Sequence, residues 1–420
     1  MRLRLSAALA IVVPGLASAQ APAPSAKAVR RLDRAPVSRE VLKVRLPRPA
    51  VRTLSNGLTV MVVEQHKLPT VQLSLWVKSG ALSDPGDAPG LAKFAAELLR
   101  EGTRSRTSAQ LAAEVDELGA SLEASAGFGE DVSRVQASGL VEDADKLLEL
   151  LADVALQPTF PDEELAKYKK RQLAALEEQR ANPQFLGRER FFSALYRETA
   201  PARIAPTAAS IERVSASDLR AFHAARYRPG NAILGLAGDI TLAEALPLVE
   251  RRFGAWAGAP PAAAGPPPAP KPEGVRVHLV DRPGSVQTEI VAGSLALERT
   301  SPDFIALTVA NRVLGGGPSA RLFLQLREEK GYTYGAYSSF TADVYPGAFS
   351  ARLAVRSEVT EPALRELLAE LKRIGQEPVP AGELDEARRS IVAKFALSLE
   401  SPANLLSSWM TARYFGLPED

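Results

Sequence analysis

The stretch "PDEELAKYKKRQLAALEEQRANP" (161–183) returns in altered form as "PAGELDEARRSIVAKFALSLESP" (380–402). Both open and close with proline over the same length, and Glu-Leu holds the fourth and fifth places of each (Glu164-Leu165, Glu383-Leu384). Upstream, "LLELLAD" (147–153) matches "LRELLAE" (364–370), and Val71-Gln72 and Val286-Gln287 each open a strand-like run. A repeat of about 215–220 residues is far longer than a solenoid unit and implies two duplicated domains.

Within each half, strands and helices come in clusters. "GLTVMVVEQ" and "TVQLSLWVKSG" are strand-like runs around the turn "HKLP", and "GEDVSRVQASGLV" alternates as a half-exposed strand does. "EDADKLLELLADVAL" and 162–182 carry helical apolar spacing. Clusters without regular βαβ alternation indicate an α+β class, with helices packed on mostly antiparallel sheet. Between the halves, "AGAPPAAAGPPPAPKPEG" (257–274) is too rich in proline for helix or central strand. Its polyproline geometry spans roughly 3 Å per residue, which suits a linker. The expected domains are therefore 46–256 and 275–420.

The halves differ in what comes after the matched prolines. After Pro183 come the helix "ASDLRAFHAARY", the strand "GNAILGLAGDI" and the helix "TLAEALPLVERRF"; after Pro402 only residues 403–420 remain. By its own template, the second domain is short of a closing helix–strand–helix unit, and it reads either as truncated, the favoured expectation, or as completed by a partner.

The 420 residues are 46% hydrophobic, enough for large cores. A formal charge of +2 and 6% aromatic residues argue against a nucleic-acid partner. No cysteine is present, which rules out disulfides and thiolate metal sites. "MRLRLSAALAIVVPGLASAQ" has basic residues, an apolar run and the small-residue signature Ala17-Ser18-Ala19. It reads as a signal peptide over 1–19, cleaved before Gln20 and followed by a flexible lead-in over 20–45. Export to a bacterial periplasm without a stable membrane anchor is the expectation.

A helix is expected within "GLAKFAAELLREGT" (90–103), where Leu91, Phe94, Leu98 and Leu99 share a face and Gly102 stops it. Lys93 and Glu97 stand one turn apart on it, a spacing at which an exposed pair contributes about 0.3–0.5 kcal/mol. Further on, "LGGGPSARLFLQLREEKGYTYGAYSSF" (314–340) joins a glycine run to a helix and a strand. No G-K-[ST] follows Gly315-Gly316-Gly317, so a phosphate loop is a poor reading.

From residue 50 onward these segments resemble the insulinase/pitrilysin-type metallopeptidases, in particular the short two-domain form that includes mitochondrial processing peptidase and its bacterial relatives. In that family the first helix reads like G-L-A-H-F-L-E-H-M-x-F-K-G-T and carries the inverted zinc motif H-x-x-E-H. Gly90, Leu91, Ala92, Phe94, Gly102 and Thr103 match it. The chemical positions do not: they are Lys93, Ala96 and Glu97. A lysine ammonium has no lone pair for a cation, alanine cannot be a general base, and one glutamate is not a site. The resemblance puts Ala174 at the third ligand position, with Glu177 and Glu178 about one turn away. The three histidines, His66, His223 and His278, are scattered over a turn, a helix and an expected strand, and read as surface or packing residues.

The 314–340 segment resembles L-G-G-G-x-S-S-R-L-F-x-x-L-R-E-x-x-G-x-x-Y. The resemblance implies that Arg327 and Tyr334 hold the substrate backbone beside a zinc ion across the chamber, and that Gly315, Gly316 and Gly317 form a flexible substrate loop. Guanidinium and phenol donors suit a peptide carbonyl and its tetrahedral oxyanion. Tyr332 fits that role less well. The resemblance therefore implies a non-catalytic, substrate-binding subunit of a heterodimeric zinc peptidase. Such a subunit has no metal of its own, a homologous zinc-bearing partner and a peptide substrate. A non-proteolytic assembly subunit on the same fold is the alternative.

Overall fold

The computed structural model describes residues 42, 44, 46–261, 270, 271 and 274–418. The expected leader (1–19), most of the expected lead-in (20–45) and the proline-rich 262–269 lie outside the described residues. The first half contains β1 (Ala50–Thr53), β2 (Thr59–Glu64), β3 (Thr70–Val77), α1 (Leu91–Glu97), α2 (Ser108–Glu117), β4 (Ser121–Ala126), β5 (Ser133–Leu140), α3 (Ala144–Leu156), α4 (Asp162–Ala181), α5 (Pro183–Tyr196), α6 (Ala208–Arg213), α7 (Ala216–Arg226), β6 (Ala232–Gly238) and α8 (Leu242–Phe253). The second contains β7 (Gln287–Leu295), α9 (Phe304–Leu314), α10 (Arg321–Phe323) running into a π-helical stretch (Leu324–Glu329), β8 (Thr333–Phe340), β9 (Ala348–Arg356), α11 (Thr360–Gln376), α12 (Ala381–Ser398) and α13 (Pro402–Phe415). Among the described residues, no helix is long and apolar enough to cross a membrane.

The first sheet has six strands in the order β1-β2-β6-β3-β5-β4, parallel only between β2 and β6. The second has three in the order β7-β9-β8, all antiparallel. The α+β class holds in both. The order β3-β5-β4 corresponds to β7-β9-β8, so the repeat seen in the sequence is a repeat of structure.

Local chemistry sets the element ends. Thr107, Ser215 and Thr241 close capping boxes on α2, α7 and α8. Asn182 caps α5, with Pro183 in the first turn where no amide donor is needed. Strand β2 is buried on both faces: Val60 and Val62 join the core beneath α1, α3, α7 and α8, while Met61 and Val63 face the other way. That explains its unbroken apolar run.

The cover on that other face comes from the far end of the chain. Leu405, Leu406, Trp409 and Met410 of α13 pack on Met61, Val63, Trp76, Ile233 and Ala237. Gly235 allows the approach, since a β-carbon there would lie 2.6 Å from Met410 Sδ. The exchange is reciprocal. Helix α5 of the first half lies on β7, where Gly187 faces Glu289 and Val291, and Phe191 faces Gly293. Each half lends the other the helix that comes after its matched proline.

The repeat also bears on exposure. Leu151 on α3 is fully buried among residues that include α8, whereas Leu368, its counterpart on α11, is 51% exposed. The described second half holds nothing equivalent to α7, β6 and α8. His278, expected on a strand, lies in a stretch (275–280) that forms no strand, with Val275, Val277 and Leu279 exposed. This corrects the strand expectation. An alternating run becomes a strand only when another strand takes its amide hydrogen bonds, and among the described residues of the second half β6 has no counterpart.

Candidate functional site

Helix α1 starts where Asp84 accepts from the amides of Gly90 (2.6 Å) and Ala92 (2.7 Å). Gly90 is left-handed (φ 96°), a conformation that glycine adopts without steric cost. The helix buries Leu91, Ala92, Phe94, Ala95 and Ala96, and Gly102 (φ 145°) follows its last turn. Burial pushes the Asp84 carboxyl up to about 6 despite its two amide partners. The stability this contributes is full below the usual value of 3.8 and is lost as pH rises through about 6, where folding requires a buried charge. Asp84→Asn should therefore flatten the fall in melting temperature between pH 4 and 7, by the order of 1 kcal/mol. Thermal melts across that range measure it.

Lys93 and Glu97 form a salt bridge, both side chains about one-quarter exposed. The other Glu97 oxygen accepts from the Tyr168 hydroxyl at 2.6 Å, and the Tyr168 ring meets Phe94 edge-on at 4.7 Å. Both carboxylate oxygens are thus engaged by the chain's own donors. Tyr168, not Ala174, is the residue of α4 that reaches this face. Ala174 is exposed, as are Glu177 and Glu178. Sequence reading missed Tyr168; its only signal there was an aromatic at a helical apolar position.

The donor set does not fit a zinc ion. An ammonium stands at one ligand position, a buried methyl at the position of the base, and the one carboxylate is paired twice. Among the described residues, no three His, Asp or Glu side chains group as metal ligands. The histidines are engaged elsewhere. His66 contacts Asp239 at 2.6 Å, His223 contacts the Ala155 carbonyl at 2.8 Å and stacks on Tyr227, and His278 contacts Arg190 at 2.9 Å. Tyr168→Phe removes a hydrogen bond to a partly buried carboxylate and should cost about 1–2 kcal/mol in denaturant unfolding.

In the second half, Arg327 sits on the π-helical stretch with its guanidinium over the Phe323 ring at 4.7 Å, about half exposed. Tyr334 follows at the start of β8 and is 90% exposed. The β8–β9 register shifts between Thr333 and Ala336, so Tyr334 lies within a bulge. π-turns and bulges are local departures from regular structure that redirect side chains, and both occur often at functional sites. Tyr332 packs against the second core instead. Neither Arg327 nor Tyr334 lines the cavity between α9 and α12, which is walled by Arg312, Arg321, Gln325 and Glu383. Both face open surface.

The glycine run is held rather than loose. A β-carbon on Gly315 would lie 2.3 Å from the Ser338 amide nitrogen, and that amide donates to the Gly315 carbonyl at 3.0 Å. Arg312 donates to the Gly316 carbonyl, and Gly315 and Gly317 are buried. Close backbone approach to β8 explains Gly315, while Gly316 and Gly317 lie against Arg312 of α9.

Comparison with known proteins supplies the remaining context. Residues 59–207 match the insulinase (peptidase family M16) family, and residues 213–391 match the peptidase M16 inactive domain. An uncharacterized zinc protease of Rickettsia bellii is 26% identical over 359 residues, 84% of each chain. One from Bacillus subtilis is 25% identical over 363 residues, 84% of this chain and 85% of that one. The crystal structure of a peptidase M16 inactive domain from Pseudomonas fluorescens superposes with a TM-score of 0.82 at 29% identity, over 88% of both chains. A protease from Helicobacter pylori shares the fold, with a TM-score of 0.79 at 23% identity over 87% of this chain and 89% of that one.

Proposed function

Because the chain belongs to the insulinase (M16) peptidase family, we propose that it is the metal-free, substrate-binding subunit of a two-chain peptidase whose other subunit carries the zinc. The observation that carries this reading is the closed Lys93–Glu97–Tyr168 contact where the family holds its metal, beside a second half that keeps Arg327 and Tyr334 on an open surface. The first half keeps the helix and its packing but offers no lone-pair donors. The second half keeps two hydrogen-bond donors suited to a peptide carbonyl.

In this reading Arg327 and Tyr334 act across an interface. Their N–H and O–H groups bind the substrate's backbone carbonyl and stabilise the negative charge that develops on its oxygen. Their exposure in the single chain agrees with a site completed by a neighbour. The substrate class is peptide or unfolded polypeptide, and the compartment is the bacterial periplasm. The partner is a homologous, exported chain with an intact H-x-x-E-H helix.

Co-expression with such a homologue from the same organism tests the assignment. A 1:1 complex holding one zinc, all of it on the partner, is expected, with peptide cleavage by the complex. Assembly without cleavage under any substrate would make the chain a scaffold instead.

A further inference from the structure

The cavity of the second half, among α9, α10 and α12, holds about 310 Å³ and lies apart from the Arg327–Tyr334 surface. Arg321 lines it with a side chain only 9% exposed. Its Nε donates to Glu383 Oε2 at 2.7 Å, while its Nη1 is buried with no acceptor among the described residues. A buried donor left unmatched costs about 1–3 kcal/mol, and more when it is charged. Folded chains therefore rarely keep one that neither a protein group nor a bound molecule meets.

Arg312 lines the same cavity. Its guanidinium donates to the Gly316 carbonyl, and among the described residues it forms no ion pair. Most of the remaining charges are matched: Arg373 pairs with Glu370 at 2.9 Å, and Glu329 lies 3.4 Å from Lys330. Glu386 is the exception, an exposed carboxylate on the cavity wall with no ion pair among the described residues. It comes three residues after Glu383 on α12, a spacing at which helical side chains are neighbours. An unmet donor with surplus positive charge thus stands about one helical turn from an unmet carboxylate.

That pairing of charges selects the ligand. A bare anion would meet Arg321 but also the repulsion of Glu383 and Glu386, and a bare cation would meet the repulsion of Arg312 and Arg321. A molecule with a carboxylate and an ammonium on one carbon satisfies both sides. Val313, Leu324 and Ala387 add an apolar wall. The volume falls at the small end of ligand sites, which run from about 300 to 1,000 Å³. We propose that this cavity binds a free α-amino acid with an aliphatic side chain. Its carboxylate accepts from Arg321 Nη1 beside Arg312, and its ammonium donates to Glu386. Such charge-assisted bonds are roughly twice as strong as those between neutral groups, so the amino acid displaces water from the unmet donor.

Calorimetric titration of the full chain with L-leucine tests the site. One molecule bound per chain is expected within a range up to about 10 mM, where even a millimolar site is mostly filled. L-Leucinamide lacks the carboxylate and N-acetyl-L-leucine lacks the ammonium, and each should bind at least about tenfold more weakly. Glu386→Gln should weaken L-leucine by a similar factor and leave N-acetyl-L-leucine no weaker. Arg321→Lys keeps a positive charge near Glu383 but removes the Nη1 donor, and should weaken L-leucine as well. Should Arg321→Lys fail to fold, Glu386→Gln, at an exposed position, still decides. No binding of L-leucine, equal binding of the three ligands, or a Glu386→Gln protein with undiminished affinity would each overturn the assignment and leave the cavity to water.

Discussion

Arg327→Ala should lower kcat/KM for peptide cleavage by the assembled two-chain enzyme by about 10²–10³, with its zinc content unchanged. On the proposed function, the substitution removes donors that hold a carbonyl whose oxygen becomes an anion in the transition state, so the loss falls mainly on kcat. Tyr334→Phe removes one donor and keeps the ring, and a loss in the same direction is expected. Neither change should disturb folding. Arg327 is half exposed, with the Phe323 ring and Glu328 beside its guanidinium, and Tyr334 is almost fully exposed. Cleavage at the native rate by both variants would remove these residues from the chemistry.

The second large effect is on stability. Trp409→Ala should destabilise the chain by about 3–5 kcal/mol in denaturant unfolding, the usual cost of emptying a large aromatic site. Trp409 is buried against the outer face of the first sheet and donates its indole N–H to the Pro47 carbonyl at 3.0 Å. It belongs to the last helix of the second half yet completes a core of the first. The substitution therefore tests the helix exchange as well as one contact. Phe191→Ala on α5, a partly buried residue of the reciprocal contact, should cost less. A loss below about 1 kcal/mol for Trp409→Ala would mean that α13 does not hold the first sheet.

The repeat, the order of elements and the altered zinc helix were legible in the sequence because each rests on local pattern. Proline at both ends of 161–183 and 380–402 marks α4 and α12, an unbroken apolar run marks β2, and an alternating one opens β3. What periodicity cannot give is the identity of the partner. The apolar face of α13 could be read as a face that must be covered, but not as the cover of a sheet in the other half. Tyr168 looked like any aromatic on a helix, and its hydroxyl acquires meaning only from Glu97, brought beside it by the fold. Residues 275–280 failed in the opposite direction: the strand pattern is present, but a strand also needs a neighbour.

The Lys93–Glu97 pair shows how magnitude separates two readings of one spacing. As an exposed i, i+4 pair it would contribute a few tenths of a kcal/mol. Joined by the Tyr168 hydroxyl and largely shielded by Phe94 and α4, it becomes a self-satisfied polar cluster on the face that matches the family's zinc motif. Such a cluster stabilises the helix without an ion.

The most direct measurement is peptide hydrolysis together with bound zinc, taken on the purified chain alone, on its zinc-bearing homologue alone, and on the two combined. The expected result is no stoichiometric zinc and no cleavage for this chain by itself, with activity in the combination far above that of the homologue. One zinc per isolated chain with cleavage to match, or a combination no faster than the homologue alone, would contradict it.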